Sequence, residues 1–192
     1  KGVQVLLEAM PKVLRYHPHT KLVIGGKGPN EHYLRHRAHE LGISPSVYFT
    51  GYIDDATRNG LYQCADVAVV PSLYEPFGIV ALEAMAAGTP VVVSDTGGLS
   101  EIINHEVNGL KAYTGSANSL ADNILRFLCD PAFARKAKER ASQEVEEIYN
   151  WQEIARQTSK VYEDVVRADS GMHKGGARWN SVYDYGFYAT NQ

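Results

Sequence analysis

Cysteine is scarce in this chain of 192 residues, which contains only Cys64 and Cys129. Both lie in segments with helical patterns, and their spacing is not that of a metal-ligand pair. A disulfide framework is therefore not expected, and neither is a cysteine metal site. We interpret both residues as core thiols of a protein from a reducing compartment.

The chain also lacks an excess of positive charge and a long apolar run. Its 19 Lys and Arg residues face 22 Asp and Glu residues, for a net charge of -3. This balance provides no basic field that would attract nucleic acid or an anionic membrane. No apolar stretch predicts a transmembrane segment, and the N-terminus has no signal-peptide layout. We expect a cytoplasmic protein, with any membrane association provided by a domain outside this chain.

Short apolar runs alternate with segments of helical periodicity along most of the chain. Helices are predicted near the N-terminus, over about 31–41, through Leu61 and over 78–87. The runs typical of buried strands are "TKLVIGG", "VYFTG", "DVAVVPS" and "PVVVSD". This alternation predicts an α/β fold: a doubly wound, Rossmann-like parallel sheet flanked by helices on both faces.

The two ends of the chain depart from this alternation. After a short strand in "GLKAY", helices are predicted over 117–129, 131–148 and 151–167. Residues 1–167 are therefore predicted to form the domain. Residues 168–192 lose the periodicity and are interpreted as a tail or linker. Because doubly wound sheets usually begin with a strand and this chain begins with a helix, we expect a first strand and a further domain upstream.

Two carboxylates, Glu75 and Glu83, interrupt the otherwise apolar segment "PSLYEPFGIVALEAMAAGTPVVVSD". Ligands of open α/β sheets bind outside the carboxyl ends of the strands, where Glu75 is expected. The turn "EPFGI" leads into a helix N-terminus that attracts phosphate, and Gly78 allows close backbone approach. Glu83 lies just over one turn later and can lean back toward the same crevice. Carboxylates accept hydrogen bonds from paired hydroxyls, so the pattern indicates a nucleotide sugar.

The stretch "EPFGIVALEAMAAGTPVVVSDTGGLSEII" resembles the signature of retaining glycosyltransferase family 4, in which seven residues separate two glutamates. The likeness extends from "KGVQVLLEAM" through "VIGGKGP", "VYFTGYID" and "VNGLKA" to about Arg167. In that family the matching part is the C-terminal, donor-binding domain of a two-domain B-type fold. The resemblance implies transfer of a hexose from a nucleoside-diphosphate sugar to an acceptor with retention of configuration. No cofactor other than the donor substrate is implied.

The resemblance also assigns roles to residues. Glu75 would contact the donor hexose, Glu83 the ribose hydroxyls, and Lys1 the diphosphate, so that Glu75 and Lys1 carry the chemistry. The other implied donor-site residues are the backbone of Phe77, Gly78 and Ile79 for sugar and diphosphate, Ile53 for the base, and Gly26 and Gly28 along the cleft. We expect donor binding to need no metal, because the helix N-terminus and Lys1 offset the diphosphate charge.

Two departures from the family pattern affect this interpretation. The family arginine shortly before the lysine is absent, and so is the N-terminal acceptor domain. We therefore expect this chain alone to bind donor weakly and to transfer little. Two other functions stay open: a non-catalytic nucleotide-sugar-binding module, and a sugar-nucleotide epimerase of the same architecture.

Individual residues have alternative roles as well. Glu83 could form a structural ion pair, and Glu101 could serve either the acceptor side or the start of its own helix. His32, His36 and His39 share a helix with arginines and a glutamate, so we interpret them as a solvated face and not as a metal site. The base, the hexose and the acceptor are not specified, although "TGGL" slightly favours glucosyl donors.

Overall fold

The computed structural model describes residues 1–172, which form two compact units that divide after Asn150. The first unit alternates helices with short strands, and the second contains one described helix, α8 (Trp151–Met172). The helices of the first unit are α1 (Val3–Tyr16), α2 (Glu31–Glu40), α3 (Asp55–Cys64), α4 (Ile79–Ala86), α5 (Gly98–Ile102), α6 (Ala117–Cys129) and α7 (Pro131–Ile148). Its strands are β1 (Leu22–Gly25), β2 (Val47–Gly51), β3 (Ala68–Val70), β4 (Val91–Ser94) and β5 (Leu110–Ala112).

All of the described strand pairs are parallel, as the apolar runs predicted. They form two sheets, one of order β1-β2 and one of order β3-β4-β5. In the second sheet Val92 of β4 pairs with Val69 on one side and Leu110 on the other. The structure differs from a single continuous sheet between β1 and β3, which have no ladder with each other among the described strands.

The side chains of β4 divide the core into two layers. Val92 packs in one apolar cluster with α1 and α6, whereas Val91 and Val93 pack in the other with α4 and α5. Successive residues of a strand point to opposite faces, so helices cover both faces of this sheet. The predicted doubly wound arrangement is therefore confirmed for the three-stranded sheet.

Helix boundaries agree well with the sequence patterns where a capping residue is present. Helices α6 and α7 have the predicted bounds, and the amide of Phe133 donates to Asp130 Oδ1 at 3.0 Å. Helix α3 continues three residues past the predicted end at Leu61. Helix α8 continues to Met172, beyond the predicted end at 167, and the rest of the expected tail lies outside the described residues.

The prediction that the two cysteines are core thiols is wrong. Cys64 and Cys129 are exposed, because each is the last residue of its helix, where the chain turns out toward solvent. Helix α4 packs its buried residues in the core of the sheet, whereas Ile79 and Val80 in its first turn are exposed. The apolar surface of that turn is therefore available at the edge of the sheet.

A buried asparagine connects the loop before β5 to helix α7. Asn108 is 1% exposed, and its Oδ1 accepts from the amide of Asn104 at 2.8 Å. Its Nδ2 donates to the carbonyl oxygen of Ile102 at 3.0 Å and to Glu144 Oε2. The single side chain thus satisfies polar groups from three segments.

We expect Asn108→Ala to lower the free energy of unfolding by about 2–3 kcal/mol, because it leaves buried partners unsatisfied. Urea denaturation of the variant and the wild type measures the loss. Asn123→Ala is the matched control: the Asn123 amide also donates to backbone carbonyls, of Lys111 and Ser119, but it is only partly buried. Equal losses in the two variants would contradict the anchoring role of Asn108.

Candidate functional site

The site is built on the segment that leaves the carboxyl end of β3. Pro71 and Ser72 follow the strand and are buried, and Glu75 is 8% exposed. Glu75 therefore lies at the edge of the sheet where the sequence placed it. A carboxylate this buried requires donors, because its desolvation otherwise costs several kcal/mol.

Lys1 and Ser72 provide these donors. Lys1 Nζ lies 2.7 Å from Glu75 Oε2, and Ser72 Oγ donates to the same oxygen at 3.2 Å. The pKa of Glu75 is lowered, chiefly by the hydrogen bond from Lys1 and against the effect of burial, with smaller contributions from Ser72 and the Gly78 amide. Glu75 is consequently a carboxylate at neutral pH, held in one orientation.

Gly2 explains why Lys1 reaches Glu75. It has φ 73°, in the left-handed region, at the N-terminus of α1. A Cβ atom on Gly2 would lie 1.8 Å from the carbonyl oxygen of Pro71, so only glycine permits this close approach. The start of α1 is thereby docked on the end of β3, with Lys1 beside the carboxylate.

Helix α4 begins at the same place. Gly78 is its N-cap residue with φ 83°, and a Cβ atom there would lie 2.8 Å from Leu99 Cδ2. The first N–H groups of a helix lack intrahelical partners and carry the positive end of its dipole. Phe77 and Ile79, on either side of Gly78, are exposed. The backbone of "FGI" therefore borders an accessible surface next to the Lys1–Glu75 pair.

The "TGG" stretch supports Glu75 from behind. The amide of Gly98 donates to the carbonyl oxygen of Glu75 at 3.0 Å. A Cβ atom on Gly97 would lie 2.1 Å from that oxygen, and one on Gly98 would lie 2.5 Å from the carbonyl oxygen of Phe77. The sequence interpretation used these glycines only as a weak indication of the donor, whereas the structure shows that they hold the backbone of the site.

Glu83 is not in the same cluster. Its side chain is 28% exposed, and Oε2 lies 3.4 Å from Arg58 Nε of α3. Arg58 also donates to Asp55 at 3.0 Å. Burial and the charge of Glu83 together raise the pKa of Tyr62 nearby. Glu83 thus forms the ion pair that its alternative, structural role predicted, and the ribose role of Glu83 stays a prediction.

The other predicted residues lie at the carboxyl ends of β1 and β2. Gly26 has φ 115°, and its amide donates to the carbonyl oxygen of Gly51 at 2.8 Å. Ile53 packs on Gly25, where a Cβ atom would lie 2.9 Å from Ile53 Cδ1. A Cβ atom on Gly26 or Gly28 would meet open space, so packing does not require glycine at either position.

An acidic residue that the sequence interpretation missed lies at the corresponding end of β4. Asp95 pairs with Lys111 at 3.3 Å, and its pKa is lowered mainly by the Ser100 hydroxyl, then by Lys111 and His105. Glu101, for which two roles were left open, is exposed in the five-residue helix α5. The position of Asp95 directly after the strand "PVVVS" was the available signal.

Comparison with known proteins identifies the family. Residues 1–144 match the family model described as "Glycosyl transferases group 1". The chain belongs to this family. Its members adopt the two-domain B-type fold, and this glycosyltransferase chain corresponds to the C-terminal domain. The resemblance drawn from "EPFGIVALE" and the fold class are confirmed together.

Several relatives match this glycosyltransferase chain over most of its length. It is 49% identical over 162 residues to an uncharacterized glycosyltransferase of Methanocaldococcus jannaschii, covering 84% of this chain and 41% of the relative. It is 38% identical to a glycogen synthase of Mycobacterium tuberculosis, covering 84% of this chain and 39% of that protein. The chain thus spans about two fifths of the length of these relatives.

A solved structure shows the same arrangement. The crystal structure of Anabaena Alr3699/HepE in complex with UDP-glucose superposes with a TM-score of 0.78 at 26% identity, covering 85% of this chain and 45% of that one.

Within residues 1–172, no helix is both long and apolar enough to cross a membrane.

The lowered pKa of Glu75 predicts a pH dependence of stability. A carboxyl group whose pKa is lower in the folded state stabilises the protein above its unfolded pKa, and that contribution disappears as pH falls through the folded pKa. We expect the difference in unfolding free energy between wild type and Glu75→Gln to be largest near neutral pH and to shrink as pH falls below about 4.5, the ordinary glutamate pKa, through the lower folded-state pKa of Glu75.

Urea denaturation at a series of pH values provides the measurement. Glu139→Gln, which removes one exposed carboxylate of α7, controls for the change in net charge. In the Lys1→Ala background, the pH range over which Glu75 changes the unfolding free energy should become narrower, because the hydrogen bond from Lys1 is the largest cause of the lowered Glu75 pKa. A pH-independent difference between wild type and Glu75→Gln would show that the ion pair does not form in solution.

Proposed function

We propose that this chain is the donor-binding half of a retaining hexosyltransferase that uses a nucleoside-diphosphate sugar. The observation that supports this most strongly is the Lys1–Glu75 pair at the N-terminus of α4. A lysine beside free helix amides can bind a diphosphate, and an adjacent carboxylate held in one orientation can accept hydrogen bonds from the hydroxyls of a hexose. The relatives include a glycogen synthase and a protein crystallised with UDP-glucose.

In this proposal the diphosphate lies against the backbone of Phe77, Gly78 and Ile79. Lys1, with 71% of its side chain exposed, turns from Glu75 to the phosphate oxygens. During transfer the bond between the anomeric carbon and the phosphate oxygen breaks, and the acceptor oxygen forms the new bond to that carbon. Negative charge grows on the leaving diphosphate, where Lys1 and the helix amides stabilise it. The proton of the acceptor hydroxyl leaves with the diphosphate.

Glu75 and Glu83 have different tasks in this arrangement. Glu75 binds the hexose, and Glu83 binds the ribose hydroxyls while it keeps its ion pair with Arg58. Ile53 borders the base, and Gly26 and Gly28 line the cleft, where their lack of packing contacts leaves room for a ligand. The roles of these residues rest on the family resemblance and on their positions at the carboxyl ends of the strands.

We propose that the complete protein adds an acceptor domain and one more strand. Tyr52, Tyr74, Phe77 and Tyr113 are all more than 70% exposed at the carboxyl ends of the strands, a surface that an acceptor domain would cover. A parallel strand between β1 and β3 would join the two sheets. Gly2 contacts the end of β3, so a strand leading into α1 would finish beside it.

The alternatives make different demands on these residues. A non-catalytic module would bind the nucleotide sugar without needing the hexose carboxylate, yet Glu75 is buried and held by several donors. An epimerase of the same architecture would use its own acid and base groups on the sugar. Turnover of a nucleotide sugar by the complete protein, with and without an acceptor, separates the three functions.

The proposed function is tested by measuring how substitution of each glutamate changes the affinity for the nucleotide sugar and for the free nucleoside diphosphate. A thermal-shift panel of UDP, ADP and GDP sugars first selects the donor. We then expect Glu83→Gln to weaken the donor and the free nucleoside diphosphate equally, by about 1–3 kcal/mol for lost charge-assisted bonds. Glu75→Gln should weaken the binding of the nucleotide sugar but not that of the free nucleoside diphosphate. The free diphosphate still binds Lys1, which the substitution releases from its ion pair with Glu75.

Isothermal titration calorimetry with donor and matching diphosphate measures each variant. Lys1→Ala should weaken both ligands through the diphosphate, and Glu139→Gln on the surface of α7 should change neither. Equal losses of diphosphate affinity in the Glu75 and Glu83 variants would contradict the separate roles. Unchanged binding in both variants would return the two carboxylates to a purely structural role.

A further inference from the structure

Ser72 has a position that the proposed function does not yet use. It is 1% exposed, two residues beyond the end of β3, and its Oγ donates to Glu75 Oε2 at 3.2 Å. The residue therefore sits on rigid backbone immediately beneath the carboxylate. A buried hydroxyl of this kind has few alternative partners and little freedom to leave.

Lys1 is the opposite kind of partner. Its Nζ contacts the same oxygen at 2.7 Å, but 71% of its side chain is exposed. In the proposed function Lys1 moves to the diphosphate when the donor arrives. Glu75 then loses its ion-pair partner at the moment when its carboxylate must face the hexose.

The backbone around Glu75 is already fixed, and at its carboxylate the Gly78 amide is the backbone donor. The Glu75 carbonyl accepts from Gly98, and Gly97 and Gly98 leave no room for the loop to shift. A glutamate still has three rotatable side-chain bonds, and their ordering costs conformational entropy. A side-chain hydrogen bond at the carboxylate, in addition to that of the Gly78 amide, fixes the orientation of this flexible side chain.

We propose that Ser72 is the positioning residue of Glu75, which holds the carboxylate toward the donor hexose after Lys1 has turned to the diphosphate. This inference rests on the proposed function. Ser72 acts through Glu75 and does not itself contact the hexose. Glu75 thus has two donors that stay in place, the buried Ser72 hydroxyl and the Gly78 amide, and one exchangeable donor from the exposed Lys1 ammonium.

The first experiment measures the gain in affinity that the hexose provides. Calorimetry with UDP-glucose and with UDP gives a ratio of dissociation constants for the complete protein and for its Ser72→Ala variant. We expect Ser72→Ala to reduce this ratio by about tenfold, as for loss of a hydrogen bond to a charged group, with UDP affinity changed less than twofold. The same pair of titrations with ADP-glucose and ADP applies if the donor panel selects adenine.

Thr89→Val is the matched control. Thr89 is also 1% exposed, and its hydroxyl donates to the carbonyl oxygen of Tyr62 at 2.6 Å, at the amino end of β4 and away from Glu75. A general loss of packing would lower both affinities in both variants. If the ratio of the UDP and UDP-glucose dissociation constants falls in Ser72→Ala but not in Thr89→Val, the positioning role of Ser72 is supported. An unchanged ratio in Ser72→Ala overturns that role.

A second readout needs no ligand. Removal of a donor to the ionised form raises the pKa of a carboxyl group. Carbon-13 NMR titration of the Glu75 carboxyl should therefore show a higher pKa in Ser72→Ala than in the wild type. The double variant Lys1→Ala/Ser72→Ala should likewise show a higher Glu75 pKa than Lys1→Ala alone. An unchanged pKa in the Lys1→Ala background would overturn the proposal.

The two experiments distinguish failure of the proposed function from failure of the positioning role of Ser72. If the complete protein binds none of the sugar nucleotides, the proposed function fails, whatever the NMR titration shows. If the wild type binds UDP-glucose more tightly than UDP and Ser72→Ala keeps that ratio, the proposed function stands and the positioning role of Ser72 fails.

Discussion

The burial of one carboxylate organises the edge of this domain. Glu75 is 8% exposed, and a charge in that position is tolerated only if donors surround it. The donors come from separate parts of the chain: Lys1 before α1, Ser72 after β3, and the Gly78 amide at the start of α4. The same contact therefore joins three elements and presents a cation, a carboxylate and free helix amides on one surface.

Glycine residues serve this surface in two different ways. Gly2, Gly97 and Gly98 allow backbones to approach so closely that any Cβ atom would overlap a carbonyl oxygen. Gly26 and Gly28 face open space, so their lack of a side chain serves no packing contact in the described structure. The first group builds the site, and the second is free to border a ligand. A glycine in the sequence does not by itself reveal to which group it belongs.

Much of the fold follows from local patterns in the sequence. Helices α6 and α7 have their predicted bounds because a serine and an aspartate cap them, and the parallel strands are recognisable as short, continuous apolar runs. The location of Glu75 follows from topology alone, since it comes directly after a strand. Exposure of Cys64 and Cys129 was not predictable from periodicity, because it depends on where each helix ends.

Tertiary contacts account for the rest of what the sequence could not show. The partner of Glu83 is Arg58, which lies 25 positions earlier on α3 and reaches the glutamate only after α3 and α4 have packed. The hydrogen bond from Ser72 to Glu75 is close in sequence, but a serine in a loop has no pattern that predicts its direction. Pairing between β1 and β3 could not be judged either, because strand order is a property of the whole sheet.

A crystal structure of this chain with UDP-glucose bound tests the position of the donor site. We expect the diphosphate at the backbone of Phe77–Ile79, with Lys1 Nζ on a phosphate oxygen. We also expect the Glu75 carboxylate on hexose hydroxyls while it still accepts from Ser72 Oγ. A nucleotide sugar bound elsewhere, with the Lys1–Glu75 pair intact, would contradict the claim that this pair is the centre of the donor site.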